Sequence, residues 1–140
     1  MVHDASLASL SPTVLVHLTF ASAAVLLGPA ALWARKGSRG HRGLGYAWVT
    51  VMVGTALSAF FMRSTGSFQL HGFSPIHLLG VVTLVGVTVA IVAIAYRKVE
   101  IHRKTMQRVY LGACLGAGVF TLLPGRYLGD LLWHHTLGLV

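Results

Sequence analysis

Four apolar runs, each about as long as a bilayer core is thick, constrain this chain more than any motif in it. They cover residues 12–33, 44–62, 75–96 and 106–123; the first three contain no Asp, Glu, Lys or Arg, and the fourth has none after Arg108. Roughly 20 apolar helical residues cross the hydrocarbon core. The run at 75–96 is rich in Val, Ile and Thr, which favour strands in water, but its length and freedom from charge predict a spanning helix. The 140 residues make one domain, and 55% hydrophobic against 10% charged is not the balance of a soluble one. The formal charge of +8 sits in short connections between the runs, so nucleic acid is excluded as a partner. The one cysteine, Cys114, lies inside an apolar run, which leaves no disulfide framework and no Cys-based zinc motif.

Read in order, residues 1–11 carry no Lys or Arg and lack the basic start of a signal peptide, so the first run is expected to stay in the protein. Ser11-Pro12 suits a helix N-cap and first turn. Gly28-Pro29 interrupts the first run, and the hydrogen bond that Pro29 cannot make predicts a bend near Val25. A glycine-rich basic turn at 35–43 joins the first two runs; Arg63 and a polar loop with His71 follow the second. A charged hinge bearing Glu100, His102, Arg103, Lys104 and Arg108 leads into the fourth, which stops at Pro124-Gly125-Arg126. In the tail, 127–140, Leu128, Leu131, Leu132 and His135 recur at helical spacing, with Tyr127 and Trp133 as amphipathic rings. Fourteen residues are too few to cross, so the tail is expected to lie on the membrane. The predicted fold is all-α: a four-transmembrane-helix bundle in one integral membrane domain, with a short C-terminal interfacial helix.

Nine of the eleven basic residues, Arg35, Lys36, Arg39, Arg42, Arg97, Lys98, Arg103, Lys104 and Arg108, belong to the first and third connections and their flanks. Arg63 and Arg126 alone fall on the other side. The positive-inside rule then places those connections in the cytoplasm and both termini outside.

Several local patterns resemble a family of small predicted bacterial membrane proteins, domain of unknown function 2306. They are His102-Arg103 with Met106 four residues after the histidine, the ending Ala117-Gly118-Val119-Phe120-Thr121-Leu122-Leu123-Pro124-Gly125-Arg126, Gly40-His41-Arg42 with Gly45-Tyr46, and His17 early in the first run. The resemblance spans about 14–126 and departs at Thr105, where the family's pattern has an aromatic, usually Trp. It implies a four-helix domain in the bacterial inner membrane and brings no reaction with it.

Candidate chemistry lies with the histidines. His17 and His77 sit ~8 Å and ~3 Å below the outer ends of their helices at 1.5 Å per residue, close to one level. Facing imidazoles at matched depth suit the axial positions of haem b, with Arg63 and Arg126 as partners for its propionates. Zinc or copper would recruit His71, His134 or His135 beside His17 and His77. Two other readings stay open: a quinone or other small-ligand pocket, and a plain structural role in which His17 bonds a neighbouring helix. The repeated pairs His41-Arg42 and His102-Arg103 are candidates for contact with a phosphate or an anionic lipid headgroup, beside their part in setting topology. Gly112, Gly116 and Gly118 give the fourth run a small-residue face that suits close packing, either within the chain, where Gly54 and Ser58 offer a matching surface, or against another membrane subunit. No CxxCH, HExxH or paired carboxylate marks a catalytic centre, and no acidic group within a run marks an ion path. The sequence thus points to a small redox or metal-binding membrane protein or to a non-catalytic accessory subunit.

Overall fold

The computed structural model describes residues 10–62, 75–123, 127–130 and 132–133. Helix α1 runs Pro12–Trp33, opened by Ser11, whose side chain accepts from the Val14 amide, and by Pro12, which needs no donor there. Helix α2 runs Arg39–Phe60 behind Ser38, which caps the His41 amide at 3.1 Å. Helix α3 is Pro75–Ala95. Helix α4 (Val99–Val109), a π-helical segment (Tyr110–Gly116) and α5 (Ala117–Thr121) follow one another without a break, and α6 is a single turn, Tyr127–Asp130. Among the described residues α1, α2 and α3 are each long and apolar enough to cross a membrane. The fourth predicted run is divided among the end of α4, the π-helical segment and α5.

Two helices begin earlier than their apolar runs, α2 at Arg39 instead of 44 and α4 at Val99 instead of 106. Arg and Lys are good helix formers, and Ser38 supplies a cap, so the backbone turns helical before hydropathy rises. The basic residues therefore lie on first turns as well as in loops. The predicted interfacial tail is described only at α6 and at Leu132 and Trp133, whose indole N–H donates to the Leu122 carbonyl at 3.0 Å; the rest of it lies outside the described residues.

Helix α1 packs on α2, α2 on α3, α3 on α4, and the π-helical segment returns to α1. The two basic turns are built alike. Each contains one left-handed residue, Gly37 at φ 78° and Arg97 at φ 59°. At the second, the Lys98 amide reaches the Ala93 carbonyl at 2.8 Å and the Arg97 amide reaches Ile94 at 3.0 Å, the paired bonds of a Schellman ending. A side chain in that conformation costs about 1–2 kcal/mol relative to glycine. A histidine then reaches back across each turn: Nδ1–H of His41 donates to the Ala31 carbonyl and Nδ1–H of His102 to Ala90, both at 2.9 Å.

The core gathers Ala24, Trp48, Met52, Val87, Tyr110 and Cys114. Its geometry follows from Pro29. Because proline has no N–H, the Val25 carbonyl loses its helical donor, and the Tyr110 hydroxyl supplies one at 3.3 Å. The Trp48 indole N–H donates to the adjacent Ala24 carbonyl at 3.0 Å, and the two rings meet at 6.4 Å and 59°. Gly28 makes room: a Cβ there would lie 2.2 Å from Tyr110 Cε2. Beneath the rings the Cys114 thiol donates to Met52 Sδ at 3.3 Å.

The small-residue face of the fourth run is not used this way. Gly112 and Gly116 are exposed, and a Cβ added at Gly112 or Gly118 would meet nothing within 4 Å. Gly54, expected as its counterpart, instead takes the Phe20 ring of α1, with a Cβ position 3.1 Å from that ring. Close approaches elsewhere are made at Gly80, where an added Cβ would lie 3.3 Å from the Ala56 carbonyl, and at Gly86, where it would lie 2.6 Å from Val109 Cγ2.

Candidate functional site

His17, on the second turn of α1, is half-buried and meets α2: its Nδ1 lies 2.9 Å from Ser58 Oγ. The Ser58 hydroxyl has one proton and donates it to the Thr55 carbonyl at 2.9 Å. With its proton on Thr55, Ser58 accepts from His17, an arrangement in which Nδ1 carries the proton of the neutral imidazole and Nε2 keeps the lone pair. The hydrogen bond to a neighbouring helix is the one a structural role calls for. It also fixes the ring as an outer partner fixes a ligating histidine.

His77, at the start of α3, lies with its ring 5.9 Å from that of Phe60, which is two residues beyond Ser58. Both imidazoles thus lean on the last turns of α2, one from each side. Their relative depth can be read from the fourth segment, which runs antiparallel to α1 and α3. Tyr110 is level with Val25 and Gly28, and Val109 with Gly86. At a common rise per residue, α5 comes level with roughly residues 14–21 of α1 and 75–78 of α3. His17 and His77 fall within those windows. At that level α5 continues the π-helical segment and meets α6, with no more than marginal contact to α1 or α3 among the described residues, and its Val119 and Phe120 are exposed. An open cleft of about 340 Å³ lies beside Ser58, lined also by Pro12, Thr13, Val16 and Phe61.

The other candidates divide into two groups. Arg63, His71, Arg126, His134 and His135 lie outside the described residues. Among the described residues no group of three or more His, Cys, Asp or Glu side chains gathers closely enough to hold a metal ion. His41, Arg42, His102 and Arg103 lie at the opposite end of the helices from His17 and His77. The two histidine rings there are half-buried and turned onto carbonyls, while both arginines are exposed. Since a carbonyl only accepts, Nδ1 is the protonated nitrogen in each ring.

Sequence reasoning missed Ser58 as the partner of His17, and Trp48 and Tyr110 as donors. A signal for the latter pair existed: a proline inside a spanning helix frees a carbonyl that some side chain must satisfy. It missed Lys36 and Gln107 as well. These two line a second cleft of about 340 Å³ at the basic end, together with Leu32, Trp33 and Arg103.

The family model of the predicted membrane proteins known as domain of unknown function 2306 matches residues 14–138, nearly the whole chain. No curated protein matches the chain, and no solved structure matches it.

Proposed function

We propose a histidine-held redox site for this chain, which belongs to the predicted membrane protein family of domain of unknown function 2306. In this reading α1, α2, α3 and the α4-to-α5 segment form a four-span bundle with α1 and α3 on its diagonal. His17 and His77 would hold a b-type haem near the outer face, with Arg63 and Arg126 as candidate partners for its propionates. The observation that carries it is the shared level of His17 and His77 at the end of the helices where α5 makes no more than marginal contact with α1 and α3. Ser58 holds His17 with Nε2 as the ligating nitrogen. When bound, haem would supply a one-electron couple, and the chain's part would be to hold and orient it through the two histidines. Zinc or copper on the same pair needs further donors from His71, His134 or His135.

The test is the absorption spectrum of detergent-purified protein from haem-replete cells. The expected result is a reducible Soret band with bis-histidine α-bands, absent in His17→Ala and in His77→Ala, with haem affinity lowered about 10–100-fold in Ser58→Ala. A colourless protein, metal-free by elemental analysis, overturns the site. That outcome favours the second reading, an accessory subunit of a larger membrane complex, which the outward-facing Gly112 and Gly116 support.

The proposed setting is the bacterial cytoplasmic membrane with both termini outside, because nine cations stand against Glu100 alone on the side of the two tight turns. A cysteine placed at Gly37, in a Cys114→Ala background, is expected to react with a membrane-impermeant maleimide only after the cells are opened. Labelling of intact cells reverses the orientation.

A further inference from the structure

The basic end of the molecule has an electrostatic problem that the chain does not solve itself. Only three acidic residues exist in the sequence, Asp4, Glu100 and Asp130. Glu100 is the one among them that belongs to the basic connections, and it is paired with Lys104 at 2.8 Å, one helical turn away. Among the described residues the remaining cations at that end have no carboxylate to balance them.

Two of those cations converge. Lys36 ends the first turn's approach from α1, and Arg103 sits on the second turn of α4; together with Gln107, one helical turn beyond Arg103, they line the cleft of about 340 Å³. The Lys36 ammonium donates to the Leu32 and Ala34 carbonyls, the latter at 3.4 Å, which places its charge at the C-terminal end of α1 and leaves its third N–H uncommitted. Arg103 offers a planar fork suited to two oxygens of one phosphate. The Gln107 amide adds a neutral donor. The cleft's remaining walls are Leu32 and Trp33. Trp33 is 86% exposed, which in a spanning protein puts its ring among lipids at the interface. Cationic floor and apolar rim together match a phosphate that arrives attached to acyl chains more closely than one that arrives alone.

We infer that this cleft binds the headgroup phosphate of an anionic phospholipid, with Lys36 and Arg103 as its ion partners and Gln107 as a hydrogen-bond donor. This reassigns the anion contact expected of the two His-Arg pairs: Arg103 keeps it, Lys36 replaces Arg42, and both histidines stay on their carbonyls. The position gives the lipid a structural effect. The cleft lies at the seam between the first hairpin and the second, where the π-helical segment meets α1 and Tyr110 donates to the Val25 carbonyl. A phosphate held from both sides ties the two hairpins together at the end where Tyr110 does not.

The experiment is thermal unfolding of the full chain in dodecyl maltoside micelles containing increasing dioleoylphosphatidylglycerol, with dioleoylphosphatidylcholine and inorganic phosphate as parallel additions. Phosphatidylglycerol is expected to raise the midpoint saturably and phosphatidylcholine not to. In Arg103→Gln the half-saturating phosphatidylglycerol fraction is expected to rise at least tenfold, and in Arg42→Gln it should stay at the wild-type value. Arg103 is exposed, so its replacement leaves the packing of the unliganded protein intact. Equal stabilisation by the two lipids overturns the inference, as does an unchanged response in Arg103→Gln. Equal stabilisation by inorganic phosphate overturns the lipid assignment and makes the cleft a free-anion site.

Discussion

Gly28→Val is expected to destabilise the protein by about 3 kcal/mol, the upper part of the range for overpacking a filled interior. The Cβ alone would lie 2.2 Å from the Tyr110 ring, and valine adds two methyl groups to that overlap. Tyr110 cannot simply swing aside. Its hydroxyl serves the Val25 carbonyl that Pro29 leaves without a donor, and its ring is packed against Trp48. Relief requires α1 and the π-helical segment to separate, which opens the core at its centre. The buried Cys114 provides the readout, since a thiol-reactive fluorophore labels it only as the structure opens. A shift of that size lowers the midpoint by roughly 10 °C for a chain of this length. Gly112→Val is the control: nothing surrounds that position, and a change within about 0.5 kcal/mol is expected. If the two variants melt alike, Tyr110 is not seated on Gly28.

Trp48→Ala carries the second large effect, a loss of about 3–5 kcal/mol from the cavity it leaves in the core. Trp48 is 4% exposed and touches the core from α2, so its removal loosens the contact of that helix with both α1 and the π-helical segment. Trp48→Phe separates the hydrogen bond from the packing. It keeps most of the ring, removes the N–H that reaches the Ala24 carbonyl, and is expected to cost about 1–1.5 kcal/mol. Replacing Trp33, which lies on the outside, is expected to change the midpoint little. A Trp48→Ala protein as stable as Trp33→Ala would show that the centre of the fold lies elsewhere.

The sequence made the three long helices legible because bilayer length and charge exclusion act on each segment separately, whereas the fourth run is divided among α4, the π-helical segment and α5. It made the level of His17 and His77 legible for the same reason, since depth along a helix is counted from its own start. What it hid depends on rotation about the helix axis. The glycines at 112, 116 and 118 promise a packing face by their spacing, yet the segment turns Gly112 and Gly116 outward, and Gly28, Gly80 and Gly86 make the close contacts instead. The π-helical segment contributes to this, because a turn with i→i+5 bonds rotates all that follows out of the 3.6-residue register on which spacing arguments rest. The basic end shows the same limit. Two His-Arg pairs look equivalent in sequence, but the cleft joins Arg103 to Lys36, a residue on the other hairpin.

Arg97 has one further consequence. It occupies the left-handed position of the second turn, where glycine, used at the corresponding Gly37, would relieve the strain. Strain and charge act at different times in the life of the chain. A membrane protein's orientation is settled while its segments are still entering the bilayer, before any turn has closed, and under the proposed topology Arg97 counts at that stage as one more positive charge on the retained connection. The left-handed backbone is imposed only afterwards, when α3 and α4 pair. On the proposed orientation the folded protein carries a small, permanent cost at Arg97 for a charge whose use belongs to insertion, so Arg97→Gly is the replacement that exchanges topological information for hairpin stability.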